Sequence, residues 1–126
     1  MLEAGSAQLS LGYPDRPGHR GIPVMPAGEF DELVDRAHRS GRAVAAHGIG
    51  DAAVAPAVAA YERAHRRWPA RPVRHRIEHL EVCPPELLRR MHAFDVIASI
   101  QTVFSAGGIE STRALLPAPL RPHLHT

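Results

Sequence analysis

The chain has 126 residues, which is enough for one domain with a buried core, and its 44% hydrophobic content is too high for a disordered protein. Fifteen arginines against thirteen acidic residues give a net charge of +2, too small to predict a nucleic-acid groove. No apolar run approaches the length of a membrane span, and the first residues lack the basic and apolar segments of a secretory signal. We therefore expect a cytoplasmic protein that binds neither nucleic acid nor membrane. The single cysteine, Cys83, excludes an internal disulfide and a CxxC metal site.

Three zones are predicted within a single unit that spans residues 1–126. Residues 1–26 contain glycine and proline at a density typical of irregular loop. Residues 27–108 carry alternating helix and strand patterns, and they end in a polar, glycine-containing loop at 101–108. Residues 109–126 form a proline-rich tail of uncertain order, which we expect to be poorly ordered after a short helical turn.

The first two helices are predicted from apolar residues at helical spacing. A stripe from Phe30 to Ala37 indicates a helix that stops at Ser40-Gly41, and residues 43–46 then form a short apolar strand that ends at His47. A tight turn follows, with Asp51 as the expected N-cap of a second helix that reaches about Arg67. Pro56 lies inside this helix pattern, so an alternative start of the helix is at Pro56 itself.

The remaining pattern repeats the alternation. Residues 73–79 read as a strand, residues 84–86 open a third helix, and residues 96–100 form a third strand. Short links between alternating helices and strands predict an α/β fold with parallel strands and right-handed crossovers.

Two histidines end neighbouring predicted strands. His47 follows the first strand and His79 ends the second, and ligands in α/β folds bind at the carboxyl ends of parallel strands. Because adjacent strands lie about 4.8 Å apart, the two imidazoles could share one metal ion, with Asp51 and Glu78 as supporting residues. The alternative is that each histidine is a hydrogen-bonded structural residue, since a catalytic zinc normally takes three protein ligands.

The other histidines give weaker signals. His75 alternates with Ile77 and His79 on one strand face, so we expect a structural residue that has a smaller chance of supporting the site. His38 and His65 are predicted to be solvated on arginine-rich helices. The arginine runs at 63–67 and 71–76 lack interleaved aromatic residues, which favours a solvated helix face and a partly buried segment over a polyanion site.

Four segments carry a resemblance to a known family: residues 44–54, 60–62, 74–79 and 97–101. His-Gly-Ile-Gly-Asp at 47–51, followed by Arg-His-Arg-Ile-Glu-His at 74–79, resembles the amidohydrolase family 3 branch of the amidohydrolase superfamily, which includes proteins similar to N-substituted formamide deformylases. The resemblance implies a metal-dependent hydrolase on a TIM (β/α)8 barrel, with one or two divalent ions, commonly zinc. His47 and His79 fall on the metal ligands of strands five and six, and Asp51 falls on a supporting aspartate. The implied substrate is a small amide-type molecule whose C–N bond is attacked by metal-activated water.

The sequence also departs from that family. It contains no lysine, no His-x-His pair before His47 and no aspartate that ends a further strand, and residues from 109 onward no longer resemble the family. Three predicted strands of eight imply an internal fragment, strands five to seven, because a complete barrel takes about 250 residues. We assign no catalytic residue. The alternative to an amidohydrolase fragment is an inactive truncated remnant or packing module with an incomplete metal site, whose exposed barrel edges would favour self-association.

Overall fold

The computed structural model describes residues 1–102 and 108–124. Five residues of the predicted loop at 101–108 and the last two residues of the tail lie outside this range. The elements in chain order are α1 (Ala27–Arg39), β1 (Ala45–Gly48), α2 (Asp51–Arg67), β2 (Arg76–His79), α3 (Pro85–Ala93), β3 (Ile97–Ile100), α4 (Ile109–Ala114) and a 3₁₀ helix (Ala118–His123).

The three strands form one parallel sheet in the order β1-β2-β3, which confirms the predicted α/β alternation. In the register, His47 pairs with Glu78 and Glu78 pairs with Ser99. Paired residues of a parallel sheet project to the same face, so these three side chains share one face. The next positions along, Gly48, His79 and Ile100, end the strands at the carboxyl edge.

The main core lies between the sheet and the helices. Val54, Val58 and Tyr61 of α2 are fully buried, and Ile77 of β2 meets them from the sheet side. Their spacing places them on one stripe of the helix. Because Ile77 faces the helices, its neighbours Arg76 and Glu78 face the other side of the sheet.

A second core joins the two ends of the chain. Leucines of the irregular first segment pack with leucines near residue 120, and the members are Leu2, Ala7, Leu9, Tyr13, Val82, Leu116, Leu120 and Leu124. A bridge between Val82 and Leu124, together with a hydrogen bond from the Cys83 amide to the His123 carbonyl, fixes the chain there. The expected short helical turn is α4, but residues 115–124 are packed where the sequence predicted poor order. The proline-rich composition suggested disorder, but Leu116, Leu120 and Leu124 recur every four residues and all three are buried in this second core.

The start of α2 differs from both sequence-based predictions. The helix begins at Asp51, not at Pro56, and its N-cap is Gly50. The carboxylate of Asp51 makes no capping hydrogen bond within its own helix, so the predicted N-cap role is wrong. Pro56 is tolerated close to the N-terminus, where the missing N–H costs a single bond to the carbonyl of Ala52.

Candidate functional site

His47 and His79 meet at the carboxyl edge of the sheet. Nε2 of His79 lies 2.8 Å from Nδ1 of His47, and the ring centroids are 4.9 Å apart. His47 is exposed and His79 is partly exposed, so both rings are accessible from solvent. The Glu81 carboxylate lies 3.9 Å from Nδ1 of His79. This anion favours the tautomer with the proton on Nδ1, which leaves the lone pair on the nitrogen that faces His47.

A left-handed turn at the end of β2 brings the two rings together. Strand alternation alone would point His79 to the face opposite His47, because His47 pairs with Glu78. His79 and Leu80 instead adopt φ values of 74° and 51°. Two consecutive non-glycine residues in this region cost free energy, and the structure maintains them by burying Leu80 and by a hydrogen bond from its amide to the carbonyl of Gly48.

Glu78 lies beside His47 on the open face of the sheet. Nε of Arg76 donates to its carboxylate at 2.5 Å, and Nη2 of Arg76 donates to the Ser99 hydroxyl at 2.9 Å. The Arg76 hydrogen bond, with a further one from Ser99, lowers the pKa of Glu78 below its usual value, and the charge of His47 acts in the same direction. The carboxylate of Glu78 is therefore an anion next to His47, and Arg76 links it to Ser99 of β3.

Asp51 connects the site to the first segment of the chain. It is 7% exposed, and its carboxylate accepts hydrogen bonds from the backbone amide and the hydroxyl of Ser10. The amide of Ala52 donates to the Gln8 carbonyl at 3.3 Å, which strengthens the same connection. Asp51 thus anchors residues 8–10 against the start of α2. No sequence pattern singled out Ser10, since the contact spans 41 positions of the chain.

His75 lies at the opposite end of β2 from His79, and its side chain contacts other histidines instead of His47 or His79. Its Nε2 is 2.9 Å from Nδ1 of His38, and the ring of His65 packs edge-on to both of these imidazoles. His38 and His75 are fully buried, and His65 is partly buried. The prediction that His38 and His65 are solvated is therefore wrong. The missed signal is their spacing: His38 is four residues after Val34 and His65 four after Tyr61, so both continue buried helical stripes.

An apolar cleft of about 610 Å³ runs from His47 along the outer edge of β1. Within the described residues, β1 pairs only with β2, so this edge of the sheet carries no neighbouring strand. The cleft is lined mainly by apolar side chains, among them Met1, Ile22, Val24, Phe30 and Ile49.

The arginine run at the end of α2 pairs with acids of α1. Arg63 contacts Asp31 at 2.5 Å, and Arg67 lies 3.6 Å from Asp35. These contacts hold the two helices together and leave fewer cations for an anionic ligand.

A family model described as the amidohydrolase family matches residues 1–126. The chain belongs to the amidohydrolase family. The match includes the residues from 109 onward, so the expectation that this segment departs from the family is wrong. No helix among the described residues has both the length and the apolar character needed to cross a bilayer.

Solved structures show the same architecture. An uncharacterized metal-dependent hydrolase from Pyrococcus furiosus superposes with a TM-score of 0.82 at 31% identity, over 98% of this chain and 25% of that one. A second, from Pyrococcus horikoshii OT3, gives 0.80 at 27% identity, over 99% of this chain and 24% of that one. This amidohydrolase chain therefore has part of a TIM-barrel-type fold.

A curated relative is similar over a shorter stretch. Protein LONG AFTER FAR-RED 3 from Arabidopsis thaliana is 32% identical over 100 residues, which is 79% of this chain and 17% of that protein. The chain thus spans about a quarter or less of the length of each of these three proteins.

Proposed function

We propose that this chain contributes two metal ligands, His47 and His79, to a metal-dependent amidohydrolase. The observation that carries the proposal is that both imidazoles meet at the carboxyl edge of a parallel sheet, in a 2.8 Å N–H···N contact whose proton an incoming ion would displace. Active sites of barrel enzymes are built at this edge. The family membership and the metal-dependent hydrolases among the solved relatives support a divalent ion there.

The donor set fits such an ion. Both nitrogens belong to imidazoles, which suit zinc and other divalent transition metals, and we propose zinc. A bound ion supplies Lewis acidity, which lowers the pKa of a water and polarises a carbonyl. His47 and His79 would hold the ion, and the left-handed turn orients His79. Glu78 places a negative charge next to His47, because the hydrogen bond from Arg76 lowers the pKa of Glu78 and keeps its carboxyl group ionised.

The substrate class follows from the family, and we propose a small molecule with an amide-type C–N bond, such as an N-substituted formamide. A catalytic zinc normally takes three protein ligands. The described residues bring two histidines to this edge, and a carbamylated lysine cannot come from a sequence without lysine. Hydrolysis therefore requires further ligands from outside the described residues. Without them, the chain is an inactive packing module that retains half of a metal site.

Zinc titration of the chain, followed by calorimetry, tests the ligand assignment. We expect His47→Ala and His79→Ala each to weaken the binding of Zn²⁺ by about tenfold or more, because each removes one of two nitrogens. His92→Ala is the matched control, since His92 is exposed on α3. His65→Ala tests the buried cluster and is expected to leave the affinity unchanged.

Unchanged affinity in both ligand variants would contradict the proposal, and so would a loss of affinity confined to His65→Ala. If zinc binds as expected, the same chain is assayed for release of amine from an N-substituted formamide. Because further ligands are required, we expect the chain alone to bind zinc without turnover. Zinc-dependent turnover that disappears in His47→Ala would show that no further ligand is needed and would contradict this requirement.

We also propose that the open edges of the sheet drive self-association. Within the described ranges β1 and β3 each pair on one side only, and apolar residues are exposed beside the β1 edge, with Val24 at 99% and Ile22 at 60%. Unpaired edges next to apolar surface favour strand addition. Sedimentation velocity over a range of concentrations should show oligomers, and Val24→Asp should reduce them. A monomer at all concentrations would contradict this proposal.

A further inference from the structure

Three histidines form a cluster at the amino ends of the strands, remote from the proposed metal site. His38 is in the last turn of α1, His65 is in the last turn of α2, and His75 precedes β2. One nitrogen from each lies within 4.8 Å of the others, a separation that would also suit a metal ion. The hydrogen bonds decide between a metal site and an internal role.

The backbone fixes the tautomer of His75. The amide of Val44 donates to Nδ1 of His75 at 3.1 Å, so this nitrogen carries a lone pair and no proton. In the neutral ring the proton is then on Nε2, which donates to Nδ1 of His38 at 2.9 Å. The remaining nitrogen of His38, Nε2, carries that ring's proton and faces the carbonyl of Trp68 at 3.3 Å. Every nitrogen of the two rings thus has one role in a chain of bonds that runs in one direction.

This series of hydrogen bonds leaves no lone pair of His75 for a metal ion. Its Nδ1 lone pair is used by Val44, and its Nε2 carries a proton. Ligation through Nε2 would require either an imidazolate or a tautomer whose Nδ1–H opposes the N–H of Val44. The proximity of the three histidines therefore arises from a structural relay.

The relay connects the four elements that position the proposed metal ligands. Val44 precedes β1, His75 precedes β2, His38 belongs to α1, and Trp68 is the C-cap of α2. Tyr61 reinforces the connection, because its hydroxyl donates to the carbonyls of Val44 and Arg76. The contacts span the starts of the two strands whose ends carry His47 and His79.

We infer that His38 and His75 are positioning residues: their hydrogen-bond relay fixes the register of β1 against β2 and thereby the approach of His47 to His79. A slip of one residue in a strand would move every side chain to the other face. The link to metal binding rests on the proposed function, whereas the relay and its effect on register do not.

The surroundings of the relay disfavour a charge on His75, because burial lowers the pKa of its imidazole. The groups that face it are His65 and Tyr61 from α2, and Asp95 from the turn before β3, which acts on His65. Asp95 is itself paired with Arg74 at 2.7 Å, and the nearby Asp35 of α1 accepts from the indole of Trp68. Among the described residues, the side-chain contacts of His75 are with Val44, Tyr61 and the other two histidines, and none is with a carboxylate.

The tautomers can be measured without metal by long-range proton–nitrogen correlation spectra of protein labelled with ¹⁵N at histidine. At neutral pH we expect His75 and His38 both to carry the proton on Nε2 alone, whereas exposed His92 should show the averaged signals of a solvated ring. A proton on Nδ1 of His75, or movement of the His75 signals when Zn²⁺ is added, would overturn the relay.

Hydrogen exchange tests the effect on register. The amides of Arg76 and Leu80 donate to Val44 and Gly48, and they report on the two ends of the β1–β2 ladder. His75→Asn retains an acceptor for Val44 but has no donor that reaches His38. We expect exchange at Arg76 and Leu80 to speed up about tenfold relative to amides of α3.

Val58→Ala is the matched control, because it removes buried apolar volume from α2 without touching the relay. It should speed exchange at the ladder and in α3 by the same factor. If His75→Asn gives the same uniform pattern as this control, then His75 contributes general stability only and the positioning role is refuted. If the parent protein shows the expected tautomer signals of His38 and His75 but binds no zinc, the proposed function is refuted and the relay is not.

Discussion

The ring of Tyr61 is stacked on the imidazole of His75, with the ring planes 14° apart and the centroids separated by 4.5 Å. Tyr61 lies in the middle of α2 and His75 precedes β2, so the stack joins a helix to the sheet at the amino ends of the strands. The phenol covers one face of an imidazole that is completely enclosed. Burial and the anion of Glu78 raise the pKa of the Tyr61 hydroxyl, so it remains a donor at every physiological pH.

Replacing Tyr61 separates the stack from the hydrogen bonds. Tyr61→Phe keeps the ring and loses the bonds of the hydroxyl to the carbonyls of Val44 and Arg76, which are 3.4 and 3.1 Å long. We expect a loss of about 1 kcal/mol in the free energy of unfolding, measured with urea. Tyr61→Leu also removes the aromatic face and should cost about 2 kcal/mol or more. Equal losses in the two variants would show that the ring contact contributes nothing.

The stability of the protein should fall as the pH drops through the range in which histidine titrates. Burial, with the charges of His38 and His65, lowers the pKa of His75 from 6.5 to about 4. Between these two pKa values, His75 is protonated in the unfolded chain and neutral in the folded chain. The contribution is fully present above pH 6.5, is lost progressively down to about pH 4, and amounts to roughly 3 kcal/mol.

Urea unfolding at several pH values between about 5 and 6.5 measures this slope before the carboxylates titrate. His65 adds to it in the same direction, because burial and the charge of His38 lower its pKa too. His75→Asn should flatten the slope whatever its effect on absolute stability, and His92→Gln should leave the slope as in the parent. A parent protein whose stability is constant across the range would contradict the prediction.

The bond between Asp51 and Ser10 should be visible in a double-mutant cycle. Asp51→Ala leaves the amide and hydroxyl of Ser10 without their acceptor and removes an anion from the first turn of α2. We expect a loss of about 1–3 kcal/mol. Ser10→Ala removes the hydroxyl alone and should cost less. A coupling energy near zero between the two substitutions would show that the contact does not stabilise the fold.

Gly48→Ala tests the packing of Gly48, at the carboxyl end of β1, against Ile77 and Val54. A Cβ at this position would lie 2.8 Å from Cγ2 of Ile77 and 3.1 Å from Cγ2 of Val54. Both neighbours are β-branched and fully buried, so neither side chain can move aside freely. We expect a loss of about 1–3 kcal/mol, and a smaller loss when the substitution is made together with Ile77→Leu, which removes the crowding methyl from Cβ. An equal cost in both backgrounds would contradict this reading of the contact.

The sequence predicted the elements from local signals. The stripe from Phe30 to Ala37 and the Ser40-Gly41 stop gave α1, and Gly41 indeed adopts a φ of 79° where the chain leaves the helix. The apolar runs predicted three parallel strands, but β1 is shifted two residues along the chain from the run at 43–46. The other two strands are shorter than the predicted segments 73–79 and 96–100. The motif at 47–51 with that at 74–79 indicated the family that the family model shows.

Residue types and their periodicity thus determined the alternation of helices and strands and the presence of His47 and His79 at strand ends, and the resemblance of the motifs indicated the family. Only the tertiary structure decided which side chains meet. The left-handed turn at His79 and Leu80 rotates an imidazole across the sheet edge, the Asp51 carboxylate bonds Ser10 instead of capping its own helix, and His38, His65 and His75 converge from three elements. The Asp51–Ser10 and His38–His75 contacts join residues that are 41 and 37 positions apart, and the turn depends on φ values that residue type alone does not predict.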